Sequence, residues 1–398
     1  MEKGGTMTNN ISPIKEKERL IAIDVMRGIS ILGIFLVNIF AFTTPYLYVD
    51  QAEYAETKFD QWAYQFVDIF VQASFYPLFA FLFGYGLFIL KNRIEDRNKS
   101  FRPLAVRRFS LLILFGFLHA VLLWPGDILF VYGVCGLLSL LFIQLSPKAL
   151  TSISITAYTL FFGFITLLSV ISEKLGLMDD YYESLIPLAN AVTDIYQSDS
   201  FIEITFQRFI DWKSVNIDGY IEIIFAVLPF VLLGIAAGKS KKFAVTERNR
   251  RFFKKVLLIA LPIGLFLKGM PYLLGGSFVF EVIQDYFGGA ILAAAYILII
   301  FLLVKDKETF FSRSFANVGK MSLSNYLIQS IICSTLFYGY GFGWFMKVSY
   351  SNLILFVLVI YFLQIIFSSI WLRKFRFGPF EWILRSFTYW RVQIMKIN

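Results

Sequence analysis

The chain has 398 residues, 58% of them hydrophobic and 19% aromatic, and its mean hydropathy of +0.67 suits a lipid bilayer, not a soluble core. Its formal charge of +9 sits mostly in short segments beside apolar runs, so lipid headgroups are the expected partners of the basic residues and nucleic acid is not expected. Two cysteines, both inside apolar runs, and a single histidine exclude a disulfide framework, a zinc site of the Cys-x-x-Cys kind and a multi-histidine centre, so no metal is expected.

Residues 1–18 are polar and predict a disordered tail. A single transmembrane domain is predicted over 19–391, with apolar stretches at 21–42, 64–90, 109–125, 127–145, 149–171, 220–238, 256–272, 286–304, 321–340 and 351–371. Crossing the hydrocarbon takes about 20 such residues as an α-helix. The predicted fold class is therefore all-α, a polytopic helical membrane protein with about ten transmembrane helices. With both termini on the cytoplasmic side, the outer segments hold only Lys58, Lys174, Arg208, Lys213, Lys268 and Lys347, and Arg27 lies in the first span. The other 30 of the 37 Lys and Arg then lie inside, as the retention of positive loops requires.

The first span reads as a retained helix and not as a cleaved signal peptide, because Asp24 and Arg27 interrupt its start and no Ala-x-Ala site follows. Asp24, Arg27, Ile31, Ile34 and Asn38 recur at 3-4-3-4 spacing and share one face. Asp24 and Arg27, one turn apart, are either a structural ion pair or a guanidinium oriented toward an anionic ligand. In the second span Asp68 and Gln72 share a face, while Gly84-Tyr85-Gly86 lacks the flanking residues of a potassium filter. The basic segment 91–108, ending in Arg107 and Arg108, marks topology and also has the chemistry to hold a phosphate.

His119 lies eleven residues beyond Arg108, roughly 16 Å along a helix. Trp124-Pro125-Gly126-Asp127 then makes a tight outer turn, with Asp127 as the N-cap or first-turn acid of the returning helix. The turn brings an imidazole and a carboxylate to adjacent helices, either as a general base with its orienting acid or as a buried structural histidine. Residues 172–219 form the long acidic outer segment. Within it, Ser200-x-x-Glu203 predicts a capped helix whose apolar face is Phe201, Ile202, Phe206, Phe209 and Ile210, either an interfacial anchor or a lid. Residues 239–255 are again basic, and Asn325 and Gln329 share a stripe with Ser322 and Cys333 in the ninth span. Such amides serve interhelical hydrogen bonding or a polar passage. From residue 372 an aromatic and basic tail is expected at the inner headgroup level.

Several of these residues form separated motifs: Arg19-Leu20, Asp24-x-x-Arg27-Gly28, Gly33-Ile34 with Asn38, His119 with Gly126-Asp127-Ile128-Leu129, Asn325-Tyr326-Leu327-x-Gln329-Ser330, and Phe375-Arg376-x-Gly378-Pro379-x-Glu381-Trp382. In this order they resemble the YeiB-like family of bacterial membrane proteins, built on the domain of unknown function numbered 418. That family is similar, through the Arg-Gly opening of its first span, to transmembrane acyltransferases of the heparan-glucosaminide acetyltransferase type. The resemblance implies a multi-pass enzyme of the bacterial cytoplasmic membrane that takes an acyl group from cytoplasmic acyl-coenzyme A. One branch of those acyltransferases has a histidine where this chain has Asn38; another has asparagine there and a histidine in the following outer loop, where residues 43–63 have none. His119 is then the base available.

The expected assignment follows. Arg27, Arg107 and Arg108 hold the phosphates of acyl-coenzyme A, with Asp24 orienting Arg27; His119 and Asp127 are catalytic; Asn38, Asp68, Gln72, Asn325 and Gln329 contact substrate. The expected acceptor is a small molecule, a lipid or a glycan, and a homodimer is compatible with the sequence. The alternative is a small-molecule transporter that uses the same intramembrane polar residues to bind a solute.

Overall fold

Ile21–Thr43 forms α1, the most enclosed long helix, with 67% of its apolar window buried. The computed structural model describes residues 21–177, 181–240, 246–304 and 309–397. The predicted tail 1–18, the Arg19-Leu20 motif, Asp179, Asp180 and the 241–245 part of the second basic segment lie outside the described residues. After α1 come α2 (Lys58–Phe70), α3 (Phe75–Glu95), α4 (Phe101–Leu122), α5 (Leu129–Phe142), α6 (Pro147–Lys174), α7 (Tyr181–Gln197) and α8 (Phe201–Lys213). The second half holds α9 (Tyr220–Lys239), α10 (Glu247–Leu274), α11 (Phe278–Val282), α12 (Gly289–Leu303), α13 (Phe310–Lys320), α14 (Ser322–Phe337), α15 (Tyr350–Lys374) and α16 (Pro379–Thr388).

The protein is all-helical among the described residues, and its β pairing there is an isolated bridge between Phe375 and Lys396. Among the described residues, eight helical segments are long and apolar enough to cross a membrane: α1, α2 with α3, α4, α6, α9, α10, α11 with α12, and α15. Two of the ten predicted spans fall on shorter helices, α5 with 14 residues and α14 with 16. At 1.5 Å per residue these rise roughly 21 and 24 Å, less than the ~30 Å hydrocarbon layer.

Glycines set how the inner helices meet. A Cβ on Gly84 of α3 would lie 1.9 Å from the Val231 carbonyl oxygen of α9, and one on Gly234 of α9 would lie 2.0 Å from that of Phe81. Gly28 of α1 and Gly319 of α13 stand in the same relation to Phe315 and Asp24. Small residues let backbones approach where lipid gives no hydrophobic drive for helix association. The outer helices differ: only 22%, 11% and 28% of the apolar windows of α6, α10 and α15 are buried. Their exposed Leu160, Phe164, Leu258, Phe266, Leu355 and Phe362 form an apolar surface suited to lipid.

The acidic segment folds into α7 and α8. Ser200 Oγ accepts from Glu203 N at 3.3 Å, the cap expected there. Phe201, Ile202, Phe206 and Ile210 are exposed, and the face turned inward carries Ile204, Gln207, Arg208, Asp211 and Trp212. Arg208, fully buried, donates to the Leu122 carbonyl at 2.8 Å and to Tyr340 Oη at 2.8 Å, with its guanidinium 4.5 Å from the Tyr338 ring centre. It fastens α8 to the end of α4 instead of marking a hydrated outer loop. Asp211 accepts from Tyr48 Oη (2.6 Å), Tyr196 Oη (2.5 Å) and Gln207 Nε2 (2.8 Å). Burial pushes its carboxyl above the usual carboxylate range against the lowering effect of these bonds.

The tail folds back as α16 against α4 and α14. Glu381 receives Leu323 N at 2.7 Å, Ser324 N at 3.1 Å and the Ser324 hydroxyl, and so satisfies first-turn donors of α14 from another helix.

Candidate functional site

Three interruptions of helical geometry converge on one cavity of about 590 Å³. The second span breaks between α2 and α3 at Val71–Ser74, where Ala73 holds φ 57° in the left-handed region. A π-helical turn over Ser214–Asp218 precedes α9, and a second over Ile283–Gly288 joins α11 to α12. Val71, Gln72 and Ala73, Ser214 and Asn216, and Asp285 and Tyr286 all line the cavity, together with Ile34 and Asn38 of α1 and Asp127 of the α4–α5 turn. Irregular backbone at membrane depth is tolerated where it is buried in protein or lines a cavity, and π turns concentrate at functional positions.

The α4–α5 turn supplies the ionisable centre. His119 Nδ1 is 2.9 Å from Asp127 Oδ1, and His119 Nε2 is 2.7 Å from Ser330 Oγ of α14. Asp127 Oδ2 accepts from Phe130 N at 2.7 Å, which fixes the carboxylate just ahead of α5; Asp127 is neither the N-cap, which is Ile128, nor a first-turn acid, since the turn runs one residue further than expected. Gly116, opposite the turn, makes room: a Cβ there would lie 2.6 Å from Asp127 Oδ2. His119, 3% exposed, stands behind Asp127 and does not itself line the cavity. The tilted Tyr326 ring lies with its centre 5.0 Å from that of the imidazole.

The other expected residues divide by place. Asn38 and Gln72 join Asp127 in the cavity wall. Asp68 lies one layer behind, accepting from Gln284 Nε2 at 2.5 Å and Tyr272 Oη at 2.9 Å. Asn325 donates to Ser368 Oγ at 3.0 Å and Gln329 to Gln364 Oε1 at 2.8 Å, contacts that tie α14 to α15 away from the cavity. Arg27 pairs with Asp24 at 3.5 Å near the basic end, and a Cβ on Gly86 would lie 2.7 Å from its Nη2. Arg108 lies within electrostatic range of Arg27, Glu381 and Tyr389. Arg107 donates to the Pro103 carbonyl at 3.2 Å, with its guanidinium 5.9 Å from the Trp390 ring centre. These arginines are outside the cavity wall, yet the α1 face that carries Arg27 reaches the wall at Ile34 and Asn38.

Sequence reasoning gave no role to Ser330, Glu222, Asp285, Tyr76, Tyr286 or Asn216. Ser330 is 211 residues from His119, so no local spacing pairs them. Lys268, counted among outer cations, is fully buried inside α10, with Nζ 3.0 Å from Asp285 Oδ1. The charged Lys268 in an apolar run was the available signal, since such a residue needs a partner.

Residues 237–391 match the family model described as "Protein of unknown function (DUF418)". Over 96% of its length the chain is 33% identical to "Uncharacterized protein YxaH" of Bacillus subtilis (strain 168), covering 97% of that protein. It is 31% identical over 93% of its length to "Uncharacterized protein YeiB" of Escherichia coli (strain K12), covering 96% of it. The chain belongs to this DUF418 family, and its long apolar helices make it a multi-pass membrane protein.

Proposed function

We propose that this DUF418 chain is a transmembrane acyltransferase of the bacterial cytoplasmic membrane, moving an acyl group from acyl-coenzyme A to an acceptor held in the cavity. The observation that carries the reading is the close series Asp127–His119–Ser330, an ion-pair contact of 2.9 Å followed by a hydrogen bond of 2.7 Å, packed directly behind the cavity wall that Asp127 joins. In this reading His119 is the base. Asp127 stabilises the imidazolium, and because Nε2 is turned to Ser330 behind the cavity wall, an acceptor hydroxyl or amine reaches it by passing the wall and displacing the Ser330 hydroxyl. The acceptor's oxygen or nitrogen bonds to the acyl carbon, its proton goes to Nε2, and coenzyme A leaves as the thiolate.

Arg27 and Arg108, two cations within electrostatic range at the basic end, fit an anionic group, and Gly86 keeps space beside the Arg27 guanidinium. Residues 27 to 38 of α1 span roughly 16 Å between that end and Asn38, a distance for an extended pantetheine arm. The similarity of the Arg-Gly opening to acetyltransferases of the heparan-glucosaminide type supports the same direction. A transporter is the second reading, favoured by the three backbone interruptions that meet at the cavity.

Substitution of His119 separates the two. In the enzyme, His119→Gln is expected to lower acyl transfer from acetyl-coenzyme A by about a hundredfold or more in reconstituted vesicles, the usual weight of a general base. Unchanged transfer, or loss of solute flux in vesicles that show no transfer, counts against the enzyme.

A further inference from the structure

We propose that the cavity takes its small-molecule ligand as an organic cation, an amine bound in the ammonium form. The inference rests on the reading that the cavity holds the acceptor and names that acceptor's chemical class. Before transfer the ammonium gives one proton to a wall carboxylate, which frees the nitrogen lone pair, and the second proton goes to His119 as the acyl bond forms and the thiolate leaves. Three acidic residues are among those that line the wall, Glu222 and Asp285 with accessible carboxylates and Asp127 with its side chain enclosed against His119, and Tyr76 and Tyr286 line it too. Neither lysine nor arginine is among the residues that line it.

Lys268 neutralises Asp285 from behind, and Asp68 lies beyond on the Gln284 amide. The Tyr286 hydroxyl donates to Glu222 Oε1. The surroundings are acidic too, since Glu281 lies within electrostatic range of Asp50, Asp68, Asp285 and Glu173. An anionic ligand therefore meets like charge at low dielectric, and a neutral one leaves Glu222 without a counter-charge. An ammonium group supplies the counter-charge, and tyrosine ring faces attract it further.

A second, independent observation is Asn216. It is 5% exposed, lines the cavity and donates through Nδ2 to the Trp212 carbonyl at 3.2 Å. Among the described residues its Oδ1 has no hydrogen-bond partner. A buried acceptor in a cavity wall is stabilised by a ligand that donates, and an ammonium group has only donors to offer.

The test uses the purified full-length protein and three probes of one shape: phenethylamine, 2-phenylethanol and phenylacetate. Spermidine and 2-aminoethanol extend the cation set. Saturable thermal stabilisation by at least one amine is expected, with none by the alcohol or the acid. Glu222→Gln, at an exposed first-turn position of α9, is expected to weaken amine binding about tenfold or more, the loss of one charged hydrogen bond. Stabilisation by phenylacetate or 2-phenylethanol equal to that by the amine, amine binding unchanged in Glu222→Gln, or no shift with any amine overturns the proposal. If acetyl-coenzyme A stabilises and no amine does, the ligand class is wrong and acyl transfer stands. If amines stabilise and no acyl-coenzyme A does, acyl transfer is wrong and the cation site stands.

Discussion

Buried acids of this protein do two different jobs. Asp127 faces a histidine just behind a cavity wall, whereas Asp211 faces three neutral donors on the inner side of α8. Because burial raises the Asp211 carboxyl above its unfolded value, the folded state holds a proton there that the unfolded state has released. The sign follows from that difference. The stabilisation is complete below the unfolded value of 3.8 and is lost as pH rises through the raised folded value. Asp211→Asn is therefore expected to flatten the fall in melting temperature between acid and neutral pH, with the largest gain relative to wild type at the neutral end. Melting curves of both proteins across that range check it, and parallel curves would show that Asp211 does not contribute. The His119–Asp127 pair was legible in the sequence because a four-residue turn fixes where both must lie. Ser330 was not, since it reaches His119 only through the packing of α14 on α4.

Elements were legible where they are long, apolar and regular, and illegible where they break. The gap in the second span runs Val71-Gln72-Ala73-Ser74, with neither glycine nor proline inside it, so 64–90 reads as one helix although Pro77, in the first turn of α3, was a signal of a new helix start. Both π turns also lie in sequence that continues as helix on either side, and nothing in residue spacing marks an added residue per turn. For α8, periodicity found the apolar stripe, which is exposed as an interfacial anchor requires, but not that the opposite face, with Arg208 and Asp211, is the one buried in protein. Close glycine contacts give the test at this scale. Gly84→Leu puts a side chain into the Val231 backbone and is expected to destabilise by at least about 1–3 kcal/mol, the cost of overpacking. Gly163→Leu on α6, where a Cβ meets nothing within 4 Å, is expected to stay within about 0.5 kcal/mol. Thermal melts of the two variants decide it, and equal losses would contradict the close α3–α9 approach.

At the scale of the molecule, the parts form a polarised bundle. Arg27 and Arg108 gather near one end, and the acidic cavity opens among the breaks of α2–α3, α9 and α12 toward the other. α1 joins the two, carrying Arg27 and Asn38 on one face. Composition and run length made the helical membrane class legible, but the cavity was beyond reach, because its wall is drawn from segments as distant as Ile34 and Tyr286. Acyl transfer requires the basic end to recognise coenzyme A before any acceptor reacts. The most direct measurement is the melting temperature of the purified protein titrated with acetyl-coenzyme A and longer acyl-coenzyme A esters, since binding to a native site stabilises it by mass action. A saturable rise, diminished in Arg27→Gln and retained in His119→Gln, is the expected result. No rise with any ester, or a rise of equal size in Arg27→Gln, would contradict it.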